Sequence, residues 1–176
     1  MPISIYIVLS TWYGTMIVNP IAKTSLIEIR DGRYIAMQTW PEDDKSAVER
    51  EDAKRIDNEC EYTLIFYHGS MAHKGQFQDI VDLLLSHGDG SGGNFKCVLY
   101  DALGCGASDK PNLESAYVSY EMTLDAIAVY DRYASQKGKT IIVGHSFGTA
   151  ICARVCRALA EREETEEYSK APPVAA

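Results

Sequence analysis

Ser146 stands at the centre of Gly144-His145-Ser146-Phe147-Gly148, directly after the apolar run 140–143 and directly before an apolar helical stretch. A serine on a sharp strand-to-helix turn holds its hydroxyl clear of the sheet, and glycines two residues to either side leave room for the strained backbone. The same turn would set the Phe147 N–H at a helix N-terminus, where a developing oxyanion is stabilised. The chemistry this suggests is attack of a serine hydroxyl on an acyl carbonyl. Such attack needs a base, yet no histidine follows His145 and no aspartate follows Asp131.

Two further motifs bear on the same chemistry. His68-Gly69-Ser70 follows the apolar run Tyr62–Tyr67. The glycine lets backbone approach a substrate, so the N–H of Ser70, or that of Met71, is the candidate second oxyanion donor. His68 itself is read as a turn histidine that holds the loop. The segment 101–111, with Asp101, Gly104, Gly106, Ser108 and Pro111, follows the run Phe95–Tyr100. Gly104-Cys105-Gly106 is not a dinucleotide fingerprint, because the third glycine is missing and helical periodicity begins only near Tyr120. The segment reads as a tight turn at the entrance to a site.

The elements that must position these groups are legible in outline. Ser25–Arg30 and Arg33–Trp40 flank Asp31-Gly32, a strong hairpin signal. Residues 41–61 form a charged stretch with little apolar periodicity, expected as a surface loop. Tyr62–Tyr67, Phe95–Tyr100 and 140–143 are continuous apolar runs, as in strands buried on both faces. Residues 77–85 read as a helix ending near His87-Gly88, and 89–94 as a Gly/Ser-rich connector. A second helix is predicted with Tyr120, Leu124, Ile127, Tyr130 and Ala134 on its inner face. A third carries Ile151, Val155, Ala158 and Leu159, and the acidic residues 161–167 with the short end 168–176 read as a solvated tail. Strands alternating with helices imply βαβ units and a parallel sheet.

Composition bounds the partners. The chain has 176 residues, 46% hydrophobic and 24% charged, with net charge −8. That length suits one domain. The acidic balance, with no basic cluster, argues against nucleic acid. The five cysteines have no metal-like spacing and read as small buried hydrophobes in a reducing compartment. Residues 1–24 are an apolar extension without a leading Lys or Arg. Residues 3–18 are short for a bilayer span, so the chain reads as cytoplasmic, with membrane association as the alternative.

Taken together, the His-Gly after one strand, the D-x-x-G-x-G-x-S-x-x-P loop after the next and the G-H-S-F-G turn after the third resemble the α/β-hydrolase fold family, in particular its α/β-hydrolase domain-containing serine hydrolases. The resemblance runs from about Ser25 to the end of the sequence. It implies an antiparallel hairpin leading into a parallel sheet with helices on both faces, a Ser–Asp/Glu–His triad, an ester, thioester or amide substrate as partner, and no cofactor. Only Ser146 carries over as catalytic nucleophile, with Phe147 and Ser70 as oxyanion-hole donors; the family's acid and histidine have no matching positions. His145 is expected to point away from the serine, and His73 to have a surface or capping role. Pro172-Pro173-Val174-Ala175-Ala176 looks like the lead-in to a further strand, so the expectation is the N-terminal half of such a domain, 25–176, cut after the helix that follows the serine. The alternative is a catalytically inactive pseudo-hydrolase or interaction module.

Overall fold

The computed structural model describes residues 24–40, 60–86, 95–135 and 138–170. The apolar extension, the charged loop at 41–59, His87, the connector at 89–94 and the Pro/Ala end at 171–176 lie outside the described residues.

Five strands form one sheet: β1 Ser25–Arg30, β2 Arg33–Trp40, β3 Tyr62–Tyr67, β4 Phe95–Tyr100 and β5 Lys139–Gly144, in the spatial order β1-β2-β4-β3-β5. The hairpin is antiparallel, with Ile27 opposite Ile35, and turns on Gly32 at φ +68. β2 runs antiparallel to β4, with Met37 opposite Tyr100. β4, β3 and β5 are parallel, in a register that places Leu64 beside Cys97 on one side and Ile141 on the other. The apolar runs Tyr62–Tyr67 and Phe95–Tyr100 therefore occupy the centre, where both faces are covered, and the run 140–143 forms the edge strand β5.

Helix α1, Gln78–Ser86, is entered through a 3-10 turn, Lys74–Phe77, and lies on one face, where Phe77 and Val81 pack on Leu64, Phe66 and Leu99. Helices α2, Ser119–Tyr133, and α3, Phe147–Lys170, cover the other face, where Ala126, Val129, Ile151 and Val155 pack on Ile65, Tyr67 and Val98. Among the described residues no helix is long and apolar enough to cross a membrane.

Two expectations are corrected. The inner face of α2 is only partly the one predicted: Ile127 is in the core with Leu124 and Tyr130 packed against it, but Tyr120 is 70% exposed, and Ala126 and Val129, which the spacing does not predict, are fully buried. Tyr120 lies in the first turn of the helix, and a small residue such as Ala126 contributes little to an apolar periodicity count. The acidic stretch after residue 160 is not a tail but the outer part of α3, which continues to Lys170. Ala, Glu and Arg favour helix, and Arg157 pairs with Glu161 one turn on, while Arg162 reaches Asp131 of α2. The face predicted for α3 is the buried one, with Cys152 also fully enclosed. Cys97 and Cys152 are buried free thiols pushed up to about 12 by desolvation.

Candidate active site

The site lies where β3, β4 and β5 end, the usual place for ligands in open α/β sheets. Ser146 sits between β5 and α3 at φ +53, one of two non-glycine residues with positive φ among the described residues, and it is exposed. A serine at this φ carries strain of about 1–3 kcal/mol that the surroundings must hold in place. Three backbone bonds do so. His145 N–H donates to Tyr67 O at 3.1 Å, Gly148 N–H to His145 O at 2.9 Å, and Thr149 N–H to Ser146 O at 2.9 Å. The glycines have a steric reason: a methyl group at Gly148 would overlap Tyr67 O, and one at Gly144 would meet Cys152 Sγ at 2.7 Å. Phe147 is the first helical residue, and its N–H has no acceptor among the described residues.

The loop after β3 is held by His68. Ala102 N–H donates to His68 Nε2 at 2.8 Å, so the neutral ring carries its proton on Nδ1 and donates it to Gly69 O at 2.7 Å. Burial keeps the pKa of His68 below the ordinary value. The histidine thus bridges two loops with both nitrogens committed, as the sequence suggested. Beyond it Met71 stands at φ +55, almost fully exposed, with its N–H turned to the Cys105 sulfur. Of the two amides the sequence left open, Ser70 N–H is the one without an acceptor among the described residues.

The loop 101–111 is organised by Asp101, a fully buried carboxylate that the sequence motif contained but to which sequence reasoning gave no role. Its Oδ1 accepts Lys74 N–H at 2.7 Å, and its Oδ2 accepts Lys74 Nζ at 2.7 Å and Ala107 N–H at 2.8 Å. Desolvation raises its pKa, but the Lys74 ammonium and the two backbone donors outweigh this, and it lies below the ordinary value. A side chain at Gly106 would collide with this carboxylate. Ser108 Oγ donates to Asp101 O at 2.5 Å and accepts Ala36 N–H at 2.8 Å, stapling the loop to β2. The D-x-x-G-x-G-x-S spacing was the available signal; the lysine that completes it lies on another loop.

Between the two loops, α2 and α3 is a cavity of about 360 Å³, lined by Ser70, Phe147, Tyr100, Met122, Leu103 and Ile151 among others. At its edge Asp125 is buried against Arg33, whose Nε and Nη2 donate at 2.7 and 2.5 Å, and Arg30, whose Nε donates at 2.9 Å. Arg30 also pairs with Glu121. The Asp125 bond holds the Arg33 pKa above its ordinary value. These arginines tie the hairpin to α2.

The other described histidines are His73 and His145. His73 is exposed and caps the turn before α1, its Nδ1 accepting Gly75 N–H at 3.1 Å, as the sequence suggested. His145 Nδ1 is buried with no partner. The structure thus places Phe147 and Ser70 on one cavity, with Ser146 against Gly69 beside it, and none of the described histidines is hydrogen-bonded to the Ser146 hydroxyl.

Comparison with known proteins agrees with this architecture. The profile of the family described as the alpha/beta hydrolase fold matches residues 62–162, more than half of the chain. Protein ABHD8 of Homo sapiens and of Bos taurus is 29% identical over 94 residues, which is 53% of this chain and 20% of the relative. The chain thus spans about a fifth of the length of these curated relatives. An epoxide hydrolase from Vigna radiata superposes with a TM-score of 0.54 at 18% identity, covering 76% of this chain and 33% of that one. A thioesterase domain from the curacin biosynthetic pathway gives 0.54 at 18% identity, covering 75% and 38%. The sheet order, the loops at its strand ends and the matched residues together lead to one conclusion: this chain belongs to the α/β-hydrolase fold family.

Proposed function

We propose that the chain carries the nucleophile and oxyanion-hole portion of a serine hydrolase acting on ester, thioester or amide carbonyls. The observation that carries this reading is Ser146 at φ +53 on the turn between β5 and α3, exposed, with the Phe147 N–H beside it. Ser146 Oγ would attack the carbonyl carbon while the Phe147 and Ser70 amides receive the charge that develops on oxygen. The serine favours acyl transfer over an aspartate-type ester mechanism, because an alkoxide adds to a carbonyl and is regenerated by hydrolysis of the acyl-enzyme. The general base is assigned to a region outside the described residues, since His68 and His73 are engaged in hydrogen bonds and the unpartnered Nδ1 of His145 is buried away from the exposed serine. Loss of a triad base costs on the order of 10⁶ in kcat.

The test replaces the missing base by a group that ionises without one. A thiol at a helix N-terminus has a lowered pKa, so Ser146→Cys should be alkylated by iodoacetamide at neutral pH several-fold faster than a free peptide thiol. The native chain should show no Ser146-dependent labelling by a fluorophosphonate and no turnover of p-nitrophenyl butyrate above Ser146→Ala. A Ser146→Cys thiol no faster than the peptide would overturn the reading. That no base is positioned among the described residues also favours a second reading, a non-catalytic binding module. Its test is cellular: a Ser146→Ala chain that retains full function supports the module, and one that loses it supports chemistry.

A further inference from the structure

We infer that the cavity beside Ser146 is an acyl pocket whose selector is the Tyr100 hydroxyl, and that it takes an acyl chain carrying a neutral oxygen, a hydroxy- or oxo-acyl group, in preference to the plain alkyl chain. This rests on the reading of Ser70 and Phe147 as the donors that receive the carbonyl oxygen.

The cavity, about 360 Å³, is within the size range of small-molecule sites. Its walls are largely apolar, with Leu103, Met122, Phe147 and Ile151, and both oxyanion donors lie on its rim. Such a lining suits an alkyl chain whose carbonyl stays at the rim. Tyr100 breaks the pattern. It closes β4, lines the cavity and is only 4% exposed, yet its hydroxyl has no hydrogen-bond partner among the described residues. The neighbouring polar groups are all supplied. Tyr67, edge-on to Tyr100 at 5.6 Å between ring centres, donates its hydroxyl to Ala126 O at 3.3 Å. Asp125 is taken by two arginines, and Ser108 bridges β2 and the loop.

Buried hydroxyls are nearly always paired, and this one is not enclosed tightly enough to be orphaned, since among the described residues only His145 Nδ1 is both sealed from solvent and unpartnered. The Tyr100 hydroxyl therefore faces the cavity, where a ligand oxygen can meet it. It is a donor throughout the physiological range, because burial, with the Asp125 charge adding to it, pushes its pKa well above the ordinary value. Largely apolar walls make a charged ligand group costly to desolvate there, leaving a hydroxyl or carbonyl oxygen as the fitting acceptor. A site built to bond a substrate oxygen discriminates against the analogue that lacks it.

The experiment measures binding, so it does not depend on turnover. Octanamide and its monohydroxylated isomers, with the hydroxyl moved along the chain, are titrated into the full 176-residue chain. Calorimetry reads affinity, and amide NMR reads the Ser70 and Phe147 signals. For the native chain the best isomer should bind roughly five- to tenfold tighter than octanamide, the amount one neutral hydrogen bond supplies. Tyr100→Phe, which removes only an unpaired hydroxyl and so leaves the packing intact, should erase that preference and leave octanamide unchanged. A flat ranking in the native chain, a preference that survives Tyr100→Phe, or no binding to the folded chain would each overturn the inference. If octanamide shifts the Ser70 and Phe147 amides while the ranking is flat, the acyl reading stands and only the selector falls. Ligands that enter the cavity and leave those amides unmoved count against the donor assignment, and the ranking still judges Tyr100.

Discussion

Gly148 lies so close to Tyr67 that the main-chain oxygen of Tyr67 occupies the space a β-carbon would need. The same oxygen accepts the His145 N–H at 3.1 Å, so one carbonyl at the end of β3 fixes both sides of Ser146. The strained turn is held by the neighbouring strand as much as by its own residues.

Gly148→Ala should therefore push α3 off β3. Overpacking of this kind costs about 1–3 kcal/mol, and for a chain of this size a loss of 1 kcal/mol lowers Tm by roughly 2–4 °C. Thermal unfolding checks it. An unchanged Tm would mean that the helix start can move aside without loss.

Lys74→Met leaves the Asp101 carboxylate buried without its cation, a change worth about 3–5 kcal/mol. Urea unfolding at neutral pH should show that loss. Because the Asp101 pKa is depressed in the folded state, its contribution is present above the ordinary value near 3.8 and is lost as pH falls through the folded value. Asp101→Asn should therefore flatten the acid limb of the stability curve. A limb as steep as the native one would assign acid unfolding to other groups.

His68 gives a second pH window, higher up. Its neutral form is the one folded in, with a pKa held below 6.5 by burial, so the folded chain binds fewer protons than the unfolded one. Stability from this source is complete above the ordinary value and is lost as pH falls from there toward the folded value. Native protein should lose stability between about pH 7 and pH 5, and His68→Asn, less stable at pH 7, should show a shallower slope across that range. Equal slopes in urea titrations would exclude His68 as the cause.

The arginine pair should be unequal. Arg33 makes two bonds to Asp125 and a third to Ala116 O at 3.0 Å, whereas Arg30 makes one to Asp125 and one to Glu121. Arg33→Met should destabilise the chain by about 2–4 kcal/mol, close to the loss for a broken buried pair, and Arg30→Met by less. Chemical denaturation of the two variants ranks them, and the reverse order would move the anchor of the hairpin to Arg30.

Much of this architecture is legible in the residues. The strand runs Tyr62–Tyr67 and Phe95–Tyr100 and the hairpin around Asp31-Gly32 stand where the sequence places them, because continuous apolar runs and turn glycines are local signals. The turn at Ser146 is legible for the same reason: a strand, the two residues His145 and Ser146, and a helix are contiguous. Part of the buried face of α2 and the helical course of residues 161–170 were misread, since the first depends on which side chains fit the sheet and the second reading weighed the charge of Glu and Arg above their helix propensity.

What the chain order alone determined is the sequence of elements and the identity of the serine. What only the tertiary structure decided is every relation that crosses the sheet. Lys74 meets Asp101 from 27 positions away, and Arg33 meets Asp125 from 92. His68 joins Ala102, and Tyr100 lines the cavity with its hydroxyl unpaired among the described residues. Local propensity acts over a few residues, whereas a buried charge or hydroxyl is satisfied by whatever the packing brings within about 3 Å, and that partner has no fixed offset along the chain.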